Sequence, residues 1–209
     1  ANYWFPEQDD IPDDVYHEVL YCKGFLASPH CAGKYWLPFF SPTGYGYRFD
    51  SFANVLVSLL GVANDEQRLA VDNFISGITK KELPLLPAFS PVIQPVDEDW
   101  KALQVTFTYN FKNKPYEFHN GGLWTMISGF YVADLAQQGK TEAAEKYLTA
   151  IHQANKLATE NGQWGFYEYQ HGQTLQAGGT PQQAWSAAGA LIGHYALQNK
   201  KVFQINGVE

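Results

Sequence analysis

Three short stretches hold the side chains best suited to chemistry: Phe118-His119-Asn120-Gly121-Gly122-Leu123-Trp124, Tyr167-Glu168-Tyr169 and Gln183-Ala184-Trp185-Ser186. Each sets a polar or acidic group among aromatics beside a run of small residues. Aromatic faces stack on the apolar side of a sugar ring, amide and imidazole groups bond its hydroxyls, and a carboxylate can act at the anomeric carbon. Cleavage of a glycosidic bond ordinarily takes two carboxylates, and these stretches supply one, Glu168. Its neighbours Trp164, Phe166, Tyr167 and Tyr169 would desolvate it and raise its pKa, an effect that tyrosine hydroxyls and water would have to offset for it to serve as a base.

Each of these residues has a plainer reading as well. A lone Glu in an aromatic loop can be structural. Asn120 can cap the helix that follows, leaving His119 to face a pocket, while Gly121-Gly122 allow close backbone approach. Trp124 and Trp185 suit core packing as well as sugar stacking, Trp185 being better placed for stacking because it directly follows a helix start. Asp50 is the second carboxylate of most interest, although an ion pair with Arg48 that fixes the loop is its default role.

The elements that must position these groups follow from the pattern along the chain. Prolines at 6, 12, 29, 38 and 42 break up the first fifty residues, where short strands or a hairpin are expected. Ser51 to Gly61 is apolar on nearly every side and reads as an inner, buried helix. Asn64 with Gln67 forms a capping box for an amphipathic outer helix carrying Ala70, Phe74, Ile75 and Ile78. The pair then recurs. After a proline-rich connection and an extended piece around Val105 to Phe111, Gly122 to Ala136 reads as inner. Ala143 to Ala158 reads as outer, ended by Gly162, with Ala144, Tyr147, Leu148, Ile151, Ala154 and Ala158 as its buried stripe. Thr180, Pro181 and Gln183 form the start signal of a last helix, Ala184 to Leu197. The fold class expected is mainly all-α: a single domain, 1–209, forming part of an (α/α)6 toroid with short strands in the N-terminal and connecting segments. An ordinary helical bundle is the alternative.

Composition bounds the partners. The chain has 209 residues, 16% of them aromatic, and a formal charge of −7, so it offers no basic surface to nucleic acid. No apolar run approaches the roughly 20 residues that cross a bilayer, so no membrane partner is expected. Two cysteines, Cys22 and Cys31, make no disulfide framework and suit a reducing, cytoplasmic setting. With His17 and His30 they fit no common zinc spacing, so neither a metal nor another cofactor is expected. The chain opens at Ala1 and has its single Met at 126, from which a preceding segment is expected.

At the three motifs the chain resembles the alkaline/neutral invertase family and, more distantly, glycogen-debranching-type glucosidases, which share an (α/α)6 toroid. The family's Pro-Trp-Ser-Tyr-His-Asn-Gly-Gly-x-Trp is similar to Pro115 through Trp124. Its Trp-Pro-Glu-Tyr-Tyr-Asp-Gly is similar to Phe166 through Gly172, and its Gln-Thr-Trp-Ser-Ile-Ala-Gly to Gln183 through Gly189. Arg48-Phe49 and the helix after it carry a weaker likeness.

The resemblance implies glycoside hydrolysis of a small carbohydrate, with Glu168 as the base that activates water in an inverting mechanism. The residues themselves offer a candidate binding set of His119, Asn120, Trp124, Tyr167, Tyr169, Trp185, Arg48 and Asp50. The family's general acid is an aspartate in its N-terminal half, which nothing here matches, so the remaining N-terminal part of the same enzyme is an implied partner. A second copy of the chain is an open one. Tyr167, Gln170 and His171 depart from the family's Pro, Tyr and Asp, and Glu117 stands where it has a small polar residue. A carbohydrate-binding or structural piece without catalysis is the other reading.

Overall fold

The computed structural model of the chain describes Trp4 and residues 34–38, 40–41, 44–106, 109–199 and 202. Cys22, Cys31, His17 and His30, with the prolines at 6, 12, 29 and 42, lie outside these residues. In chain order the elements are β1 (Phe40–Ser41), β2 (Gly44–Tyr45), β3 (Phe49–Asp50), α1 (Ser51–Leu59), α2 (Asp65–Ile78), β4 (Phe89–Ser90), α3 (Trp100–Gln104), α4 (Thr125–Gln137), α5 (Thr141–Asn155), β5 (Tyr169–Gln170), β6 (Ala177–Gly178) and α6 (Ala184–Leu197). The protein is mainly helical with a few two-residue antiparallel hairpins, as the alternating pattern implies.

The arrangement is that of a partial helical toroid. Phe52 on α1 meets Phe130 on α4, with ring centroids 5.1 Å apart, and Ser58 bonds Asp134 further along both helices, so α1 and α4 run parallel. A Cβ on Gly189 of α6 would lie 2.5 Å from the Thr125 carbonyl, and one on Gly193 would lie 2.9 Å from Val132, so α4 and α6 are parallel too. These three inner helices point their N-termini to one end. α2 and α5 return outside them, joined to their neighbours where the Tyr131 hydroxyl donates to Asp72 (2.9 Å) and Thr79 meets Tyr147 (3.3 Å).

Small residues make the inner contacts possible. Gly129 and Gly189 face each other so closely that a Cβ on Gly129 would stand 2.2 Å from the Gly189 carbonyl oxygen. α4, in the middle, is buried at nearly every position. α1 is not enclosed all round: Asn54, Val55 and Ser58 are buried, whereas Ala53 and Leu60 face solvent. α6 likewise buries Ser186, Gly189, Ala190 and Gly193 and exposes Leu191 and Tyr195. An apolar sequence allows burial on every side but does not supply the neighbours.

Local expectations fare unevenly. The Asn64 and Gln67 capping box is present in full. α5 stops at Asn155 rather than running to Ala158, because the Asn155 carbonyl accepts from Phe166 N–H and its amide donates to Ser186 O (2.9 Å). Val105 and Thr106 turn directly after α3 and form no strand. The start signal at Thr180 is overridden as well. Gln182 adopts a left-handed φ of 57°, Gln182 and Gln183 N–H bond Gly165 and Phe166, and α6 begins only after Gln183. Hydrogen bonds between loops outcompete the cap.

A line of short pairings crosses the N-terminal end of the inner helices. β3 pairs β4, Pro87 pairs Leu123, Leu123 pairs Gln170, and β5 pairs β6. It runs straight into the starts of α1 and α4, so the residues just before each helix are held side by side.

Two measurements check this packing. Gly189→Ala should lower stability by about 1–3 kcal/mol in urea unfolding, since the added methyl meets backbone that cannot move aside alone. Burial lifts buried Asp134 from 3.8 to about 6, with the Ser58 hydroxyl pulling the other way, Asp72 adding to the rise, and Arg68 and Gln138 opposing it. The folded carboxyl therefore holds its proton more tightly than the unfolded one. Its contribution is fully present below about pH 4 and is lost as pH rises through 6. Asp134→Asn should gain about 1–3 kcal/mol over the parent at pH 7.5 and little at pH 4; equal differences at both pH values would contradict the account.

Candidate functional site

The loop at 113–122 is built around Asn120. Its side-chain Oδ1 accepts from Ile93 N–H (2.7 Å), and its side-chain Nδ2 donates to Ile93 O (2.9 Å) and Asn113 O (3.1 Å). Fully buried and bonded in this way, Asn120 pins the loop to residue 93. It does not cap α4, whose N-cap is Trp124. Gly121 has φ 85° and stands where a Cβ would strike Val92, which explains this glycine. Tyr116 (φ 70°) and Phe118 (φ 42°) are also left-handed, a conformation that costs a non-glycine residue of order 1 kcal/mol or more.

The pinned loop delivers an aromatic wall. His119 is exposed and stacks on Trp124 with centroids 5.2 Å apart and planes 15° from parallel. The Trp124 indole donates to Phe118 O (3.0 Å), which leaves its face for its neighbours. Tyr169 lies 6.3 Å away on one side and Trp185 6.5 Å away on another. Trp124 and Tyr169 are buried, while Trp185 is 40% exposed, so Trp185 and His119 form the solvent face of the wall. The parallel inner helices cause this arrangement, because Trp124 precedes α4 and Trp185 lies in the first turn of α6.

Glu168 stands at the edge of the wall. Its Oε2 accepts from Thr180 N–H (3.1 Å), and its own N–H donates to Thr180 O, closing the neck of the β5–β6 hairpin. Gly179, at φ 74°, leaves room for this carboxylate, which would sit 2.5 Å from an added Cβ. Oε1 has no hydrogen-bond partner among the described residues. The Tyr167 carbonyl accepts from the Ser186 hydroxyl (2.8 Å), and its ring packs against Gly165. Burial, then the charges of Glu117 and Glu168, push the Tyr169 hydroxyl up to about 12 against an opposing bond from the Phe118 backbone. Tyr169 is therefore a neutral phenol at any working pH.

Arg48 and Asp50 lie apart from this group. Three strand spacings of about 4.8 Å separate Asp50 from Gln170 along the line of pairings, or roughly 14 Å. They border a separate cleft of about 870 Å³ that also takes in Tyr47, Phe89, Ile93, Val96 and Asp97 to Asp99. The expected Arg48–Asp50 pair does not form. Arg48 bonds Asp99 and pairs Asp97 at 3.5 Å, while Asp50 caps α1 by accepting from Ala53 N–H (2.9 Å). A smaller hollow of about 400 Å³ lies between Trp164, Phe166 and the start of α6. Among the described residues no group of three or more His, Cys, Asp or Glu side chains could hold a metal ion, and no helix is long and apolar enough to cross a membrane.

The sequence motifs missed Asp97 and Asp99 as partners of Arg48, since they lie some fifty positions away. They also undervalued Glu117, whose closeness to Tyr169 depends on the folded loop.

A family profile described as alkaline and neutral invertase matches residues 20–200. Cytosolic invertase 1 of Oryza sativa subsp. japonica is 24% identical over 172 residues, covering 81% of this chain and 29% of that protein. Alkaline/neutral invertase E, chloroplastic, of Arabidopsis thaliana is 25% identical over 171 residues, covering 80% of this chain and 26% of the relative. Alkaline/neutral invertase C, mitochondrial, from the same plant is 25% identical over 162 residues, with 76% and 23% covered. The chain thus spans 23% to 29% of the length of these relatives.

One residue beside the site carries a measurable cost. Gln170 is fully buried with neither amide atom bonded among the described residues. An unmet buried polar group costs about 1–3 kcal/mol. Gln170→Met should therefore raise the unfolding free energy in urea by about 1–3 kcal/mol, and a destabilised variant would show that the amide has a partner.

Proposed function

Because the chain belongs to the alkaline and neutral invertase family, we propose that it supplies one side of the active site of a glycoside hydrolase acting on a small sugar, sucrose being the substrate that the relatives' names suggest. The observation that carries this reading is the convergence of His119, Trp124, Tyr169 and Trp185 at the end of parallel inner helices, with Glu168 beside them. A sugar ring stacks on the exposed face of Trp185, and His119 exchanges hydrogen bonds with its hydroxyls.

Glu168 is the general base. With Oε2 fixed by Thr180, Oε1 takes a proton from the water that attacks the anomeric carbon. Tyr169, retaining its proton, is a donor at the same edge. The general acid protonates the leaving oxygen and comes from the N-terminal part of the same enzyme, outside this chain. Arg48 and Asp50 contact substrate only if it reaches into their cleft. The setting proposed is cytoplasmic, drawn from the two cysteines; the relatives' names include cytosolic, chloroplastic and mitochondrial forms.

One observation favours a second reading. The Glu168–Thr180 bond also gives the carboxylate a structural task, as in a carbohydrate-binding piece that does no chemistry. Glu168→Gln separates the two, because an amide oxygen still accepts from Thr180. In the full-length enzyme it should lower kcat about 10²–10⁴-fold with unfolding free energy changed by less than about 0.5 kcal/mol. Near-normal turnover would overturn the base assignment.

A further inference from the structure

A second carboxylate, Glu117, lies close enough to Tyr169 for its charge to act on the Tyr169 hydroxyl, as that of Glu168 does. A Cβ on Gly122 would lie 2.9 Å from Phe118 N and 3.0 Å from Tyr169 Cδ2, so the Glu117–Phe118 peptide and the Tyr169 ring pack against the same spot. The Phe118 and Tyr169 rings are 4.6 Å apart. Glu117 immediately precedes one partner of this contact and Glu168 the other. The charges of both reach the Tyr169 hydroxyl.

Glu117 is also rigidly presented. The left-handed residues Tyr116 and Phe118 flank it. Tyr116 N–H donates to Asn120 O (2.7 Å), Tyr116 O accepts from Gly172 N–H (2.8 Å), and Phe118 O accepts from Gly122 N–H and the Trp124 indole. Asn120 N–H donates to Glu117 O (2.9 Å). A solvated loop acid needs none of this. Lys112 sits over the Phe118 ring at 5.4 Å, and neither it nor Lys114, whose carbonyl accepts from Glu117 N–H (2.9 Å), forms an ion pair with Glu117 among the described residues.

We propose that Glu117 is a specificity-determining residue of the site assigned above, accepting hydrogen bonds from substrate hydroxyls beside Tyr169 and rejecting sugars that carry a phosphate or carboxylate. The inference rests on the sugar-hydrolase reading. Two half-buried carboxylates near one phenol make a field that favours neutral polyols, because a further negative charge brought close to them is repelled more strongly where water is scarce. Neither residue alone would discriminate as sharply.

The test compares the full-length enzyme with Glu117→Gln, Glu117→Ser and Glu117→Asp, using sucrose and its 6-phosphate ester in steady-state kinetics and in calorimetric binding. The parent should favour the neutral sugar. Gln and Ser should raise KM for sucrose about fivefold or more with kcat within twofold, and should narrow the neutral-to-phosphorylated ratio about tenfold. Asp, which keeps the charge, should preserve most of that ratio, and its retention guards against a folding defect as the cause. A KM and a ratio both within twofold of the parent in Gln and Ser would overturn the proposal while leaving hydrolysis intact. Discrimination measured by binding in an enzyme whose Glu168→Gln variant still turns over would sustain Glu117 and sink the base assignment. Failure of sucrose to bind the parent would sink both.

Discussion

Two glycines in van der Waals contact set the scale of this molecule. Gly129 and Gly189 bring the backbones of α4 and α6 so close that neither position has room for a Cβ. The approach fixes the helices parallel and in register, and it carries Trp124 and Trp185 to within 6.5 Å at their leading ends. Any wider spacing would leave two isolated indoles instead of one wall. The small residues of the inner helices are therefore part of the site's geometry, although none of them could touch a ligand.

The loops above those helices hold their shape against local cost. Left-handed non-glycine residues gather at Tyr116, Phe118, Phe166 and Gln182, around the candidate site. Each is overdetermined by hydrogen bonds between loops: Asn120 to Ile93 and Asn113, Gln182 to Gly165, Gln183 to Phe166. Strain of this kind persists only where the surroundings enforce it. Here the enforced features are the facing of Glu117, the direction of His119 and the late start of α6.

Much of the fold was readable from local pattern. The capping box at Asn64 is a contact between near neighbours in sequence, and α4 is so uniformly apolar and small that burial was its single outlet. The failures share a cause. The Thr180 cap lost to bonds that Gln182 and Gln183 N–H donate to the Gly165 and Phe166 carbonyls, Arg48 found Asp97 and Asp99 rather than its neighbour Asp50, and among the described residues α1 and α6 each bury one face rather than all of them. All depend on partners distant in sequence, which spacing does not encode. At the candidate site the fold brings the motif residues His119, Trp124, Tyr169 and Trp185 together, whereas Asn120 is the pin behind them and Glu117 became visible only beside Tyr169.

The account centres on a carboxylate with one oxygen anchored and one available for water. In an inverting glycosidase that water arrives on the face opposite the leaving group. The direct measurement is proton NMR of the sugar released by the full-length enzyme from sucrose in the first minutes, before mutarotation mixes the anomers. The product anomer should be inverted relative to the bond cleaved. Retention would mean that a carboxylate forms a bond to the sugar, and would contradict the role given to Glu168.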